Sequence, residues 1–255
     1  MSTAAKFSPR ITIREHKIPS ADSKPYIAAE GPDGALWFCE SGAAKIGRFD
    51  PDSAAFTEFA LPSKTATPIG IIAGGDGNLW FCQKAANRIG RITPRGEIAE
   101  FTIPSPYAGP DGVALGPDGN VWFSESEISK IGRITPSGEI TEFGEGISFG
   151  ARPLSIVVRD GALWFSEAAG NRIGRITVDG KVSEIPIPSH DSQPRAMAAH
   201  PDGSIWFVET STNALGRLDR DGRITEHKVP TPESSLRGVA VGADGDLWYT
   251  ANAVN

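Results

Sequence analysis

One pattern of apolar and polar positions recurs six times along the chain. Each copy has a Trp inside a short apolar run. The six are Trp37, Trp80, Trp122, Trp164, Trp206 and Trp248. Their spacing is 43 residues once and 42 residues four times. Each Trp belongs to a unit of four short apolar-polar runs separated by Gly, Pro and Asp, which is typical of antiparallel strands joined by tight turns.

The second copy shows the predicted strands most clearly. Its first strand contains Gly70–Ala73, its second Leu79–Phe81, its third Arg88–Arg91 and its fourth Glu97–Pro104. No segment of the chain sustains the 3.6-residue period of a helix. A four-stranded unit that recurs about every 40 to 50 residues is typical of a β-propeller, in which neighbouring blades cover each other's faces. The predicted fold class is therefore all-β, with four-stranded antiparallel blades.

The two ends of the chain each supply half of a repeat. Lys6–Arg10 matches a third strand, and Ile11–Pro19 covers a fourth. Arg237–Val241 and Leu247–Tyr249 match a first and a second strand. Joining the ends gives a step of 44 residues from Trp248 to Trp37, close to the internal spacing. We therefore predict one domain over residues 1–255, whose six repeats are closed by strands from both termini.

Composition and charge exclude several classes of protein. A net charge of −6 argues against nucleic acid as a partner, because phosphate binding needs clustered Lys and Arg. No apolar run approaches the roughly 18 residues of a membrane helix. Met1–Arg10 lacks the apolar core of a signal peptide, so the sequence predicts a soluble, cytoplasmic protein, and we expect a monomer. Cys39 and Cys82 hold equivalent positions on adjacent repeats, too far apart for a disulfide, and are expected to be free, buried thiols.

Three phrases recur in fixed order: Leu-Trp-Phe-x-Glu, Asn-x-Ile-Gly-Arg-Ile and Glu-Ile-x-Glu-Phe-x-Ile-Pro. Together they resemble the virginiamycin B lyase family over nearly the whole chain. The resemblance implies a propeller, seven-bladed in that family, that opens cyclic streptogramin B antibiotics by a magnesium-assisted elimination at the ester linkage. With six repeats, this chain is either a six-bladed relative or a shortened form of a seven-bladed one, natural or engineered.

The same resemblance implies catalytic His residues just after a Pro at the start of the first strand in the last two blades. Tyr26 matches the Tyr that the family places on the first blade, but Arg237 stands where the first catalytic His is implied. Arg stays protonated and cannot act as a general base. No residue is therefore predicted to be catalytic, and a cofactor is not expected apart from the magnesium that the resemblance implies.

Two other sets of residues have both a structural and a functional interpretation. Acidic residues follow the Trp strand in four repeats, at Glu40, Glu125, Glu167 and Glu209. We expect these residues, together with the Arg of the third strand, to make hydrogen bonds or ion pairs between blades. The alternative is that they form a ring of carboxylates that holds a cation at the channel mouth. The four histidines share no phase of the repeat, so no metal ligand is expected among His16, His190, His200 and His227.

The loops that lead into the first strands differ most between repeats, and loops of this kind carry function on a constant scaffold. They bring Tyr26, Asp111, Arg152, Arg195 and Arg237 towards one face near the propeller axis. An aromatic ring, a carboxylate and several guanidinium groups fit a small anionic or peptide-like ligand. We therefore expect a scaffold or small-ligand-binding module without lyase activity. The alternative is a magnesium-dependent carbon–oxygen lyase acting on cyclic ester-linked substrates.

Overall fold

The computed structural model describes residues 13–253, which form 22 strands numbered here along the chain. The first strands of the six repeats are β1 (Pro25–Glu30), β5 (Pro68–Ala73), β9 (Pro110–Leu115), β13 (Pro153–Arg159), β17 (Pro194–Ala199) and β21 (Leu236–Val241). The second strands are β2 (Leu36–Glu40), β6 (Leu79–Gln83), β10 (Val121–Glu125), β14 (Ala162–Glu167), β18 (Ile205–Glu209) and β22 (Leu247–Ala251). The third strands are β3 (Lys45–Asp50), β7 (Arg88–Ile92), β11 (Lys130–Ile134), β15 (Arg172–Ile176) and β19 (Ala214–Leu218). The fourth strands are β4 (Ala55–Ala60), β8 (Ile98–Thr102), β12 (Ile140–Phe143), β16 (Val182–Pro186) and β20 (Ile224–Lys228).

Five repeats form complete four-stranded antiparallel sheets, and the sixth forms a two-stranded sheet of β21 and β22. Successive first strands pack against one another, from β1 and β5 through to β17 and β21. The all-β class and the six repeats are thus as predicted, and five of the six blades have the predicted four strands, while no N-terminal strand joins the sixth within residues 13–253. No helix in residues 13–253 is long and apolar enough to cross a membrane.

The repeated Trp packs between blades. Trp37 of the first blade contacts Leu79 and Phe81 of the second within one buried cluster. On the sheet, Trp80 stands opposite Arg91, whose guanidinium lies 5.5 Å from the indole centroid, and the other complete blades repeat this cross-strand pair. The recurrent Arg of the third strand therefore covers the Trp of its own blade. It also reaches the next blade, since Arg91 Nη1 donates to the Pro136 carbonyl at 2.9 Å.

The Gly of the Ile-Gly-Arg phrase is required by the aromatic residue opposite it. Gly47 pairs with Phe38 across β2 and β3, and a Cβ at Gly47 would stand 2.2 Å from the Phe38 ring. The same contact recurs between Gly90 and Phe81. A methyl group at either position overlaps the ring, so this third-strand position accepts only Gly.

The fourth blade departs from the others in its first turn. In the first blade, Asp33 Oδ1 accepts a hydrogen bond from Trp37 Nε1 at 2.9 Å. The fourth blade has instead the two-residue turn Asp160-Gly161, with φ of 50° and 71°, as a type I′ hairpin requires. Without that carboxylate partner, Trp164 is covered by the Arg159 guanidinium, which lies 4.0 Å from the indole centroid.

The seam between the last and first repeats is exposed in the described residues. Trp248 is 59% exposed, whereas Trp37 is fully buried. Residues 13–19 of the predicted closing fourth strand form no strand, and the predicted third strand, Lys6–Arg10, lies outside the described residues. The fourth strand of a blade pairs only with the third strand. The strand with which residues 13–19 would pair therefore lies outside the described residues.

The segment before β1 nevertheless lies against the first blade. The His16 ring is 4.9 Å from that of Phe49, and the Ser20 amide donates to Glu58 Oε1 at 2.8 Å. Ser105 makes the equivalent bond to Glu142 in the third blade. Residues 16–20 therefore occupy the place that a fourth strand and its following loop take between two complete blades.

Candidate ligand-binding channel

A cavity of about 510 Å³ lies where the first strands of all six repeats come together. The five residues predicted from the leading loops all line it: Tyr26, Asp111, Arg152, Arg195 and Arg237. The rest of the wall is mostly apolar and includes Ile71, Val113 and Ile156. Its volume lies within the range of about 300 to 1,000 Å³ that is usual for small-molecule sites. The repeat therefore gathers residues from distant parts of the chain into one site.

A β-bulge near the start of each first strand places side chains at this cavity. In β1, Pro25 pairs with Glu40 and Ala28 pairs with Phe38, so two residues of β1 oppose one residue of β2. Tyr26 is the first bulged residue. Asp111, Arg195 and Arg237 hold the same position in their strands, and Arg152 immediately precedes β13. Bulges commonly redirect side chains next to binding sites, and the sequence alone gave no signal for them.

Asp111 is neutralised by a residue that sequence reasoning missed. Lys84, in the turn after β6, donates from Nζ to Asp111 Oδ2 at 2.7 Å. Its Nζ also lies 3.3 Å from Ser126 Oγ and 3.8 Å from Glu127 Oε1. The sequence signal for Lys84 was its neighbour Gln83, which stands where four other repeats have a Glu.

The side of the cavity formed by β13, β17 and β21 is cationic. Arg152, Arg195 and Arg237 form no ion pair and no side-chain hydrogen bond within residues 13–253. Arg195 Nε is buried and has no hydrogen-bond partner in this part of the chain. Burial, followed by the charges of Arg237 and Arg152, holds the pKa of Arg195 below its usual value. Burial and the two neighbouring charges lower this pKa because they disfavour the charged guanidinium of Arg195. This side of the cavity therefore favours an anion.

The Asn of the Asn-x-Ile-Gly-Arg phrase holds the leading loops in place. Asn171 Nδ2 donates to the Ser189 carbonyl at 2.8 Å, and its Oδ1 accepts from the Ser192 amide at 2.8 Å. That loop leads to Arg195. Asn87 and Asn213 bind the loops that lead to Asp111 and Arg237 in the same way. The recurrence of Asn in the repeated phrase was the sequence signal for this role. The contact itself was not predicted, because it joins residues about 20 positions apart.

The four acidic residues after the Trp strand lie inside their own blades. Each is fully buried, and none lines the cavity. Burial raises the pKa of each carboxyl group, with a contribution from a glutamate of the fourth strand: to about 7 for Glu40, 9 for Glu125, 8 for Glu167 and 7 for Glu209. The hydrogen bonds or ion pairs between blades that we predicted for this series are not present among the described residues, where most of these carboxyl oxygens have no hydrogen-bond partner. Each carboxyl lies near a glutamate of its own blade. The alternative ring of carboxylates at the channel mouth does not form.

The histidines stay apart from the cavity. His227 packs on Trp206 with ring centroids 5.3 Å apart. His200 lies in a turn, where its imidazole forms hydrogen bonds with the Gly245 carbonyl and the Asp202 carboxylate. These hydrogen bonds raise the pKa of His200. None of the described histidines lines the cavity.

The sequence profile of the virginiamycin B lyase family matches residues 3–159 and 146–255. The chain belongs to the virginiamycin B lyase family. The crystal structure of virginiamycin B lyase from Staphylococcus aureus is 39% identical, with a TM-score of 0.87, and the match covers 91% of this chain and 78% of that one. A catalytically inactive variant of that lyase with quinupristin is also 39% identical, with a TM-score of 0.89, covering 93% of this chain and 81% of that one. A virginiamycin B lyase from Streptomyces coelicolor is 46% identical over 46 residues, which are 18% of this chain and 15% of that protein.

The residues of this family member do not fit the magnesium that the family implies. Within residues 13–253, no three His, Cys, Asp or Glu side chains are grouped as in a metal site. The carboxylate on the cavity wall, Asp111, is already paired with Lys84. Magnesium prefers several oxygen ligands. The described residues therefore offer no set of ligands suited to magnesium.

Proposed function

We propose that this member of the virginiamycin B lyase family is a ligand-binding propeller that takes a small anionic or peptide-like molecule in its central cavity and does not open streptogramins. The observation that carries the proposal is the cavity wall itself. Three guanidinium groups without described partners stand beside Tyr26 and an apolar surface. Arg binds carboxylate and phosphate groups through its planar set of donors.

We expect no lyase activity because no group at the described cavity is suited to accept the proton that elimination releases. Elimination needs a group at the site that accepts a proton near neutral pH, which His does best. Arg237 stands at the cavity where the family resemblance implies a His, and an arginine side chain cannot act as a general base. Glu209 has a pKa raised to about 7, but its carboxyl is fully buried and outside the cavity wall. The described cavity therefore offers binding groups and no suitable base.

The second candidate is a magnesium-dependent lyase with a relocated base. It is favoured by the likeness to lyase structures over more than nine-tenths of this chain, and by Tyr26, which lies on the cavity wall. Incubating the protein with a streptogramin B antibiotic, with and without magnesium, distinguishes the two candidates. Mass spectrometry should find only the intact cyclic compound. A linear product that Tyr26→Phe or Glu209→Gln abolishes would contradict our proposal.

A further inference from the structure

The cavity wall is strongly asymmetric in charge. Its ionisable side chains on β13, β17 and β21, or next to them, are all cationic, whereas Asp111 on the β9 side is paired with Lys84. Four cationic groups face one carboxylate, so the wall carries a net charge of +3 at neutral pH. The whole chain carries −6. The positive charge is therefore concentrated at the cavity and is not a property of the whole surface.

The cavity arginines differ from most arginines that stabilise this fold. Arg48 binds Asp33, Arg88 binds Glu100, and Arg217 binds Asp202. By contrast, Arg152, Arg195 and Arg237 have no such partner in residues 13–253, and the Nε of Arg195 is buried without an acceptor. Like charges held close together at a cavity repel one another, and an anion that reaches them relieves this repulsion.

We propose that the cavity binds a small organic molecule carrying a doubly charged oxyanion, either a phosphate group or two carboxylates, against Arg152, Arg195 and Arg237. This inference rests on the proposed function and specifies its ligand. A single negative charge leaves a net +2 on the wall, whereas a dianion neutralises most of it. Each guanidinium can donate two parallel hydrogen bonds to such a group.

The remaining wall indicates that the anion belongs to an organic molecule. Ile71 on β5 and Val113 on β9 form an apolar surface on the same cavity, on strands other than those that carry or adjoin the arginines. Inorganic phosphate fills only the cationic side. An organic group attached to it gains the burial of apolar area, worth about 25 cal/mol per Å².

Isothermal titration calorimetry at constant ionic strength tests this inference. The probes are inorganic phosphate, phenyl phosphate, isophthalate (a benzene ring with two carboxylates) and, as the monovalent and neutral comparisons, benzoate and benzyl alcohol. We expect phenyl phosphate and isophthalate to bind at least tenfold more tightly than benzoate, and phenyl phosphate more tightly than inorganic phosphate. Arg195→Gln should weaken the dianions about ten- to a hundredfold, as expected for a lost hydrogen bond to a charged group. Arg223→Gln, at an exposed turn outside the cavity, removes the same charge and should leave binding unchanged.

Each outcome bears on the inference. Equal binding of phenyl phosphate and benzoate, or equal losses in the two Arg variants, would overturn it, because general charge attraction then explains the result. So would the absence of any dianion binding by a protein whose fold is verified by thermal unfolding. Binding of a peptide-like neutral ligand that depends on Tyr26 but not on Arg195 would overturn the inference that the ligand is a dianion. It would leave the proposed function standing. The streptogramin assay tests the proposed function separately.

Discussion

Gln83 donates a hydrogen bond from Nε2 to Glu100 Oε1 at 2.9 Å, at the place where four other blades have a buried Glu. The amide cannot lose a proton, so it donates at every pH. Glu125 in the next blade faces Glu142 in the same arrangement, and this neighbour adds to the effect of burial on its pKa. The Glu125 carboxyl therefore keeps its proton at neutral pH, and the second blade shows that a neutral donor satisfies this position.

This comparison predicts a pH-dependent stability. The pKa of Glu125 is about 9 in the folded protein, against 4.5 for an unperturbed Glu. The folded state thus binds more protons than the unfolded state between these values, so its contribution to stability is complete below about pH 4.5 and is lost as the pH rises to 9. Glu125→Gln should leave stability at pH 5 nearly unchanged and raise it at pH 9 by on the order of 1 to 3 kcal/mol.

Chemical denaturation at pH 5, 7 and 9 measures this effect. Glu139→Gln, at an exposed turn, is the matched control and should show no such trend. Gln83→Glu is the reverse experiment and should add a loss of stability at high pH. If Glu125→Gln follows the same pH profile as the parent protein, the carboxyl is not held in its neutral form.

Trp122 is expected to be among the most costly residues to truncate. It is fully buried and packs against Leu163 and Phe165 of the following blade. Trp122→Ala removes contacts on both sides of a blade junction and should reduce the free energy of unfolding by about 3 to 5 kcal/mol. Urea denaturation measures the loss. A cost below about 1 kcal/mol would show that the ring is not packed between blades.

Asn171 is predicted to position the loop that carries Arg195. Asn171→Ala removes the acceptor of the Ser192 amide and should speed hydrogen exchange at that amide, with a stability cost of about 1 to 3 kcal/mol. Asn213→Ala is the matched control, because it binds the Ser234 amide of the next loop. It should speed exchange at Ser234 and not at Ser192. Equal changes at both amides in either variant would mean a general loss of stability.

The N-terminal segment is predicted to protect the seam. Deleting residues 1–19 removes the contact of His16 with Phe49 and leaves the exposed edge of β22, with Trp248, without the predicted closing strands. Unpaired strand edges associate with other chains, so the shortened protein should oligomerise or unfold. Light scattering after size-exclusion chromatography measures this, with deletion of residues 1–5 as the control. A stable monomer without residues 1–19 would show that these residues do not complete the last blade.

The sequence by itself determined the repeat, the strand order and five of the polar side chains at the cavity. Each of these depends on local patterns, and a propeller carries equivalent positions of every repeat to the same radius, so Tyr26 and Arg195 could be placed together although 169 residues separate them. The tertiary structure alone decided the bulges that direct these side chains, the Lys84–Asp111 pair and the buried Glu pairs. It also decided the exposure of Trp248, which the in-register count of residues across the termini did not predict. These features depend on contacts between strands and between blades, whose distances and burial the spacing of residues along the chain does not fix.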